Sequence, residues 1–145
     1  MCKRYSAKDI MTFQKATGLG VMESKNFLLT KSPLLCEKIL LAYKLKQSRI
    51  KQGLSTKSYL YDPIEDDPQY REIFKEVCRK VEIIIEAENQ KRIDDFKREN
   101  KDFLSYILRR GSLYREESTK QKYLLEQYNI QYSSIIEMNP GIIFN

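Results

Sequence analysis

The chain of 145 residues has no histidine. That absence removes the side chain that titrates near neutral pH, the commonest general base and the commonest metal ligand, and with it every Ser-His or Cys-His dyad. Carboxylates and lysines remain, but no residue set offers a nucleophile with a base, so the chain reads as non-enzymatic and without a cofactor. Cysteine is scarce and odd in number: Cys2, Cys36 and Cys78, widely spaced and with no CxxC pair. This argues against a disulfide framework and against a zinc site, and leaves Cys36 and Cys78 as small buried hydrophobes on helical faces. Glycine and proline number only five and four, against ten Tyr and six Phe, a balance that favours packed helices over an all-β architecture. No apolar run is long enough to cross a bilayer and no secretory leader is expected, so the address reads as cytoplasmic, with no membrane partner.

What is present is enough for one domain, or a small module with a helical extension, with a real core. The charge is uneven. Residues 1–52 hold eleven Lys+Arg against three Asp+Glu, a net of +8, and the remaining fifteen and seventeen give the rest of the chain a net of −2. An N-terminal basic excess of this kind points to an acidic partner.

Apolar spacing predicts three short helices in residues 1–53. Ser6 and Asp9 of "SAKD" form a capping-box start, followed by a stripe through Ile10, Phe13 and Ala16 that stops at "TGLG". A second helix is expected over 21–30, with Met22, Phe27, Leu28 and Leu29 as its apolar residues. Ser32 and Pro33 read as an N-cap and first position of a third helix, with Leu35, Cys36, Ile39, Leu40, Tyr43, Leu45 and Ile50 on a broad buried face. Gly53 supplies a left-handed C-terminal cap. Residues 54–66 read as a linker or ordered loop, in which "SYLY" is a candidate extended piece. Asp67-Pro68 opens a long amphipathic helix to about residue 98 through Phe74, Val77, Cys78, Val81, Ile84 and Ile85, with a break or continuation near Asn100. A further helix is expected over 113–128, "SIIE" caps a last short turn, and the apolar tail "IIFN" is expected to dock on the body. The fold class is therefore all-α, and the expected core is Phe13, Met22, Leu28, Ile39, Leu40, Phe74, Val77, Val81, Ile84, Phe103, Ile107 and Leu124.

The stretch with most information is "FQKATGLGVMESKNFLL". Two of five glycines fall two positions apart after a threonine. Gly18 can adopt the positive φ that ends a helix, and Gly20 would let the second helix start close against the first, giving a tight helical corner with Leu19 free to plug a core or a partner's groove. The residues Thr17, Gly18, Gly20, Met22, Lys25 and Leu28, with the helix from Pro33 to Lys46, resemble the N-terminal module of translation elongation factor Ts, a three-helix fold of the ubiquitin-associated type. The resemblance covers about 40 residues. It implies a protein-docking module, with Thr17, Gly18, Leu19, Gly20, Val21 and Lys25 at the docking surface and elongation factor Tu as a candidate partner. In that family nucleotide exchange rests on a separate Thr-Asp-Phe-Val motif; "KDFLSY" matches only its central pair, at Asp102 and Phe103, so exchange activity is not implied. "TGLG" before a lysine-bearing helix is also similar to the C-terminal domain of the ribosomal stalk protein, whose strands have no counterpart here.

Other constellations carry competing readings. Lys44, Lys46, Arg49 and Lys51, joined by Lys31 and Lys38, form either the cationic end of a helix or a phosphate-contacting patch for nucleic acid. Asp62, Glu65, Asp66 and Asp67 lack metal-ligand spacing and read as solvated loop charge. "RRGSL" matches a basophilic kinase site at Ser112. The long helix offers a dimer seam. The leading expectation is a non-catalytic protein-binding or regulatory protein, translation-linked or of an inhibitor or immunity type. The alternative is a nucleic-acid binder using the basic end of the third helix.

Overall fold

The computed structural model describes residues 4–97 and 112–144. Phe103, Ile107, the Asp102–Phe103 pair and the question of continuity near Asn100 lie outside the described residues, as do Cys2 and the side chains of Phe96 and Ser112. Among the described residues there is no strand, and the chain is all-α. It divides into two compact units, Met1–Glu65 with Ser133–Ile143, and Asp66–Tyr132 with Phe144–Asn145.

The first unit holds α1 (Ala7–Thr17), α2 (Val21–Thr30) and α3 (Pro33–Lys51), and near the chain's end α6 (Ile135–Met138). Local signals set their limits. Ser6 and Asp9 exchange both capping-box hydrogen bonds at 3.1 and 3.2 Å, and Gly18, at φ 74°, ends α1. Gly53, also at φ 74°, ends α3 in a Schellman closure, with Gly53 N–H donating to Ile50 O and Leu54 N–H to Arg49 O, both at 3.0 Å. Ser32 stands at the N-cap of α3 and Pro33 at its first position, although the Ser32 hydroxyl makes no cap bond. The core packs Phe13, Leu28, Cys36, Ile39, Leu40 and Ala42 from the three helices against Leu60 and Met138. Each large side chain buried here stabilises by about 1.5–3 kcal/mol.

Two further chain segments complete this unit. The 54–65 stretch, expected as a linker or ordered loop, is part of it, and residues 133–143 return to it from far along the chain. Asn139 holds both together. Its side-chain amide donates to Leu60 O at 2.7 Å and its carbonyl accepts from Leu60 N–H at 2.8 Å, so one side chain pairs both backbone groups of a buried residue. Asp62, 1% exposed, accepts from Lys38 at 2.6 Å, Ser133 N–H at 2.8 Å and Ile64 N–H at 3.1 Å. The expectation that Asp62 is a solvated loop charge is thus corrected. Three donors offset the cost of burying its carboxylate.

The second unit pairs α4 (Arg71–Lys97) with α5 (Ser112–Tyr128). Asp67 caps the short 3₁₀ turn Pro68–Tyr70 that leads into α4. Phe74, Val77, Val81 and Ile85 form its buried stripe, completed by Leu124, Ile130 and Tyr132. Asn129, at φ 54°, ends α5, and Ile130 N–H turns back to Leu124 O at 3.1 Å. Buried Glu117 accepts from Tyr132 Oη at 3.1 Å and pairs with Lys120 at 3.4 Å.

Several expectations about burial are corrected. Met22 is 76% exposed, because α2 turns Ser24, Phe27 and Leu28 inward and a residue two positions before Ser24 falls on the far side. Ile84 is 38% exposed while Ile85, one position on, is 2% exposed and completes the 74-77-81 stripe. Leu45 and Ile50 are exposed because the buried face of α3 ends near Tyr43. Cys78 is exposed, and Ile142 and Ile143 of the tail are exposed too. The docking the tail was expected to provide is made just before it, by Met138 and Asn139.

Candidate functional site

The α1–α2 corner is built by Thr17 and Gly18. Thr17 Oγ1 donates to Phe13 O at 2.8 Å and accepts from Leu19 N–H at 3.3 Å, so the threonine ends α1 and starts the turn with one hydroxyl. It is buried, which makes it a framework residue and not a contact surface. Gly18 uses the left-handed conformation the sequence predicts for it. Gly20 does not serve close packing: it is the N-cap of α2 at φ −68°, and a Cβ there would meet nothing nearer than a Glu23 carboxylate oxygen at 3.8 Å. The close approach belongs to Gly141, where a Cβ would lie 2.0 Å from Thr17 O. The returning segment therefore presses its backbone directly onto the corner.

Beyond the corner, α2 presents two solvent-facing sides. One carries Glu23, Asn26, Phe27 and Thr30, which with Leu19, Lys31 and Pro140 line an open groove of about 400 Å³. Half-buried Leu19, Phe27 and Pro140 supply its apolar lining. The other side carries Val21 at 49%, Met22 at 76% and Leu29 at 67% exposure, with exposed Lys25 among them. Steps of three and four residues put Met22, Lys25 and Leu29 on one helical face. Of the six corner residues singled out in sequence, Val21 and Lys25 thus stand on the apolar outer face, Leu19 lines the groove, and Gly18 and Gly20 are exposed backbone between them. Met22, Leu29 and the groove's Phe27 and Pro140 were not singled out. The run "FLL" is a signal for Leu29, because three consecutive apolar residues cannot share one face of a helix.

The cations at the end of α3 do not form one patch. At 100° per residue Lys44 and Lys51 point within about 20° of each other, and Lys46 and Arg49 point to the other side. Lys44 and Lys51 are exposed, while Lys46 and Arg49 are half-buried. Arg49 donates to the hydroxyl of Tyr61, and Lys38 is spent on Asp62. Lys31 lies apart, on the groove.

Titratable groups with displaced pKa values are few and have structural causes. Burial, reinforced by neighbouring Cys36, pushes the Tyr5 phenol up to about 12, and burial likewise raises the Cys36 thiol, which donates to Phe27 O at 3.9 Å. A raised thiol pKa leaves little thiolate and an inert cysteine. In the second unit, Lys80 is raised by its hydrogen bonds to Tyr123 and Glu76, and Glu76 is lowered by Lys80. None of these groups joins a nucleophile to a base in a cleft. Among the described residues no group of three or more Cys, Asp or Glu is placed to hold a metal, and no helix is long and apolar enough to cross a membrane. Comparison with protein-family models, with curated proteins and with solved structures found no match.

Proposed function

We propose that the chain is a non-catalytic protein-binding protein that docks its partner through the N-terminal helical unit, on the outer face of α2 and the adjoining corner. One observation carries this reading: Val21, Met22 and Leu29 stay in solvent around Lys25, while α2 turns Ser24 and Leu28 into the core. Grouped apolar side chains left in solvent mark a contact surface, and Lys25 supplies a polar contact beside them. The unit that bears them holds twelve Lys+Arg against six Asp+Glu, so the matching surface is apolar and bordered by carboxylates. Resemblance to elongation factor Ts makes elongation factor Tu the first partner to try, in a translation-linked role; an inhibitor of another protein uses the same surface.

The test compares the full chain with a Met22→Glu/Leu29→Glu variant, whose substitutions lie in solvent and spare the core. Purified elongation factor Tu is titrated by calorimetry, and in parallel both proteins are used for capture from nuclease-treated lysate. The expected result is a stoichiometric protein partner whose affinity falls at least about tenfold in the variant. A partner held equally well by both proteins, or no protein retained from the nuclease-treated lysate, sinks the proposal.

A further inference from the structure

The loop between α3 and the second unit alternates in burial: Tyr59 and Tyr61 are half-buried, whereas Leu60 and Asp62 point inward and are buried. The inward pair is fixed, Leu60 by the Asn139 side chain and Asp62 by Lys38, Ser133 N–H and Ile64 N–H. Fixing alternate residues leaves the two tyrosines on a common outer side. Lys57 confirms that side, since its ammonium lies 5.8 Å from the Tyr59 ring centre and 4.8 Å from that of Tyr61. Arg49 reaches across from α3 to the Tyr61 hydroxyl, and Lys46 precedes Arg49 by one turn on the same side of that helix. Two aromatic rings are thus assembled with Lys57, from the same loop, beside two cations of α3 that lie ten or more residues away in sequence.

We infer that Tyr59 and Tyr61, with Lys57 and Lys46, form a binding site for single-stranded nucleic acid, with Arg49 as the residue that positions the Tyr61 ring. A base has a π-face that stacks on a tyrosine whatever its sequence, and phosphates flanking it need nearby ammonium groups. Lys57 is exposed and is held to the rings by cation–π attraction, so it can exchange a ring for a phosphate as a base stacks. Duplex, whose bases are already stacked on each other, offers no face to the tyrosines. The site is independent of the α2 surface.

Anisotropy of a fluorescein-labelled 12-mer of oligo-U, with oligo-dT and a hairpin duplex as comparison arms, tests the site on the full chain. Expected affinity for both single strands lies in the range of about 10⁻⁴–10⁻⁶ M and falls steeply between 50 and 200 mM salt. The duplex binds more weakly. Tyr59→Ala is expected to weaken single-strand binding by about tenfold. Because a ring deletion can loosen the loop, Lys57→Glu/Lys46→Glu serves as a second variant that leaves both rings in place. It is expected to weaken binding at least as much and to flatten the salt dependence. The Met22→Glu/Leu29→Glu variant is expected to bind as the parent does. Absence of single-strand binding at 10⁻⁴ M, duplex bound as well as single strand, or binding unchanged in both the Tyr59 and the lysine variants overturns the inference.

Discussion

The two units hold together by different means. The first joins three short helices to segments 54–65 and 133–143 through a few buried polar side chains acting over long sequence distances: Asn139 on Leu60, and Asp62 on Lys38 and Ser133. The second relies on one long apolar stripe, with polar contacts both along a helix, such as Lys80 with Glu76 at 3.1 Å, and between α4 and α5, such as Lys80 with Tyr123 at 3.1 Å and Arg115 with Glu88 at 3.7 Å. Charge divides the same way. The first unit carries the chain's whole excess of +6, twelve Lys+Arg against six Asp+Glu, while the second has fourteen of each. A unit closed by singular contacts can be opened by one substitution. A unit closed by a repeated pattern spreads the same loss over many positions, and its balanced charge offers a partner no net attraction.

Asp62→Ala attacks the first unit hardest. It leaves Lys38 without its buried partner and two backbone N–H groups without an acceptor, a loss of about 3–5 kcal/mol. Asn139→Leu, which strands the N–H and C=O of Leu60, is expected to cost about 2–4 kcal/mol. Urea unfolding gives the magnitudes, and hydrogen exchange gives the place. Protection should fall across α1 to α3 and persist along the α4 stripe. Equal loss in both units would show that they unfold together, and the contrast drawn above would fail.

A smaller effect separates two glycines that look alike in sequence. Gly141→Ala forces a methyl into the Thr17 carbonyl and should cost about 1–3 kcal/mol as the returning segment is pushed off the corner. Gly20→Ser has room, provides a better helix N-cap, and should change stability by no more than about 0.5 kcal/mol, in the stabilising direction. A Gly141 variant as stable as the parent would mean that the segment's contact with Thr17 contributes little.

The smallest effect belongs to the second unit and depends on pH. Glu76 is held below its ordinary pKa by Lys80, so its contribution is present above about pH 4.5 and is lost as pH falls through its lowered folded value. Lys80 is raised, so its contribution is fully present below its ordinary value near 10.5 and is lost as pH rises above it. Glu76→Gln should therefore differ from the parent slightly at pH 7, and the difference should shrink as pH falls below 4.5, read by denaturant midpoint. A difference that grows in acid would reverse the sign assigned to this pair. Tyr5 gives the first unit an alkaline signature of the same sign as that of Lys80. With its folded pKa raised to about 12 from 10.0, ionisation opposes folding between those values, and Tyr5 should titrate late by ultraviolet absorbance.

Much of the local structure was legible because its causes are local. Gly18 and Gly53 mark helix ends, Ser6-Asp9 and Asp67-Pro68 mark starts, and the 74-77-81 spacing marks a buried stripe. The candidate surface was legible in part. "TGLG" located the corner, yet the stripe read into α2 put Met22 inside, because a ten-residue helix with apolar residues on every side has no unique inward face in sequence. Only packing chose Ser24 and Leu28.

By itself, then, the sequence determined an all-α chain, the positions of its helix ends and the imbalance of its charge, since these follow from backbone propensity, periodicity and composition. The tertiary structure alone decided that Asp62 and Asn139 are interior, that residues 133–143 close the first unit, that Met22 and Leu29 face solvent, and that Tyr59 and Tyr61 meet Lys57 beside Arg49. Each of those outcomes depends on groups distant in sequence or on the competition among helix faces for one core. Nothing in the local pattern of residues records how that competition ends.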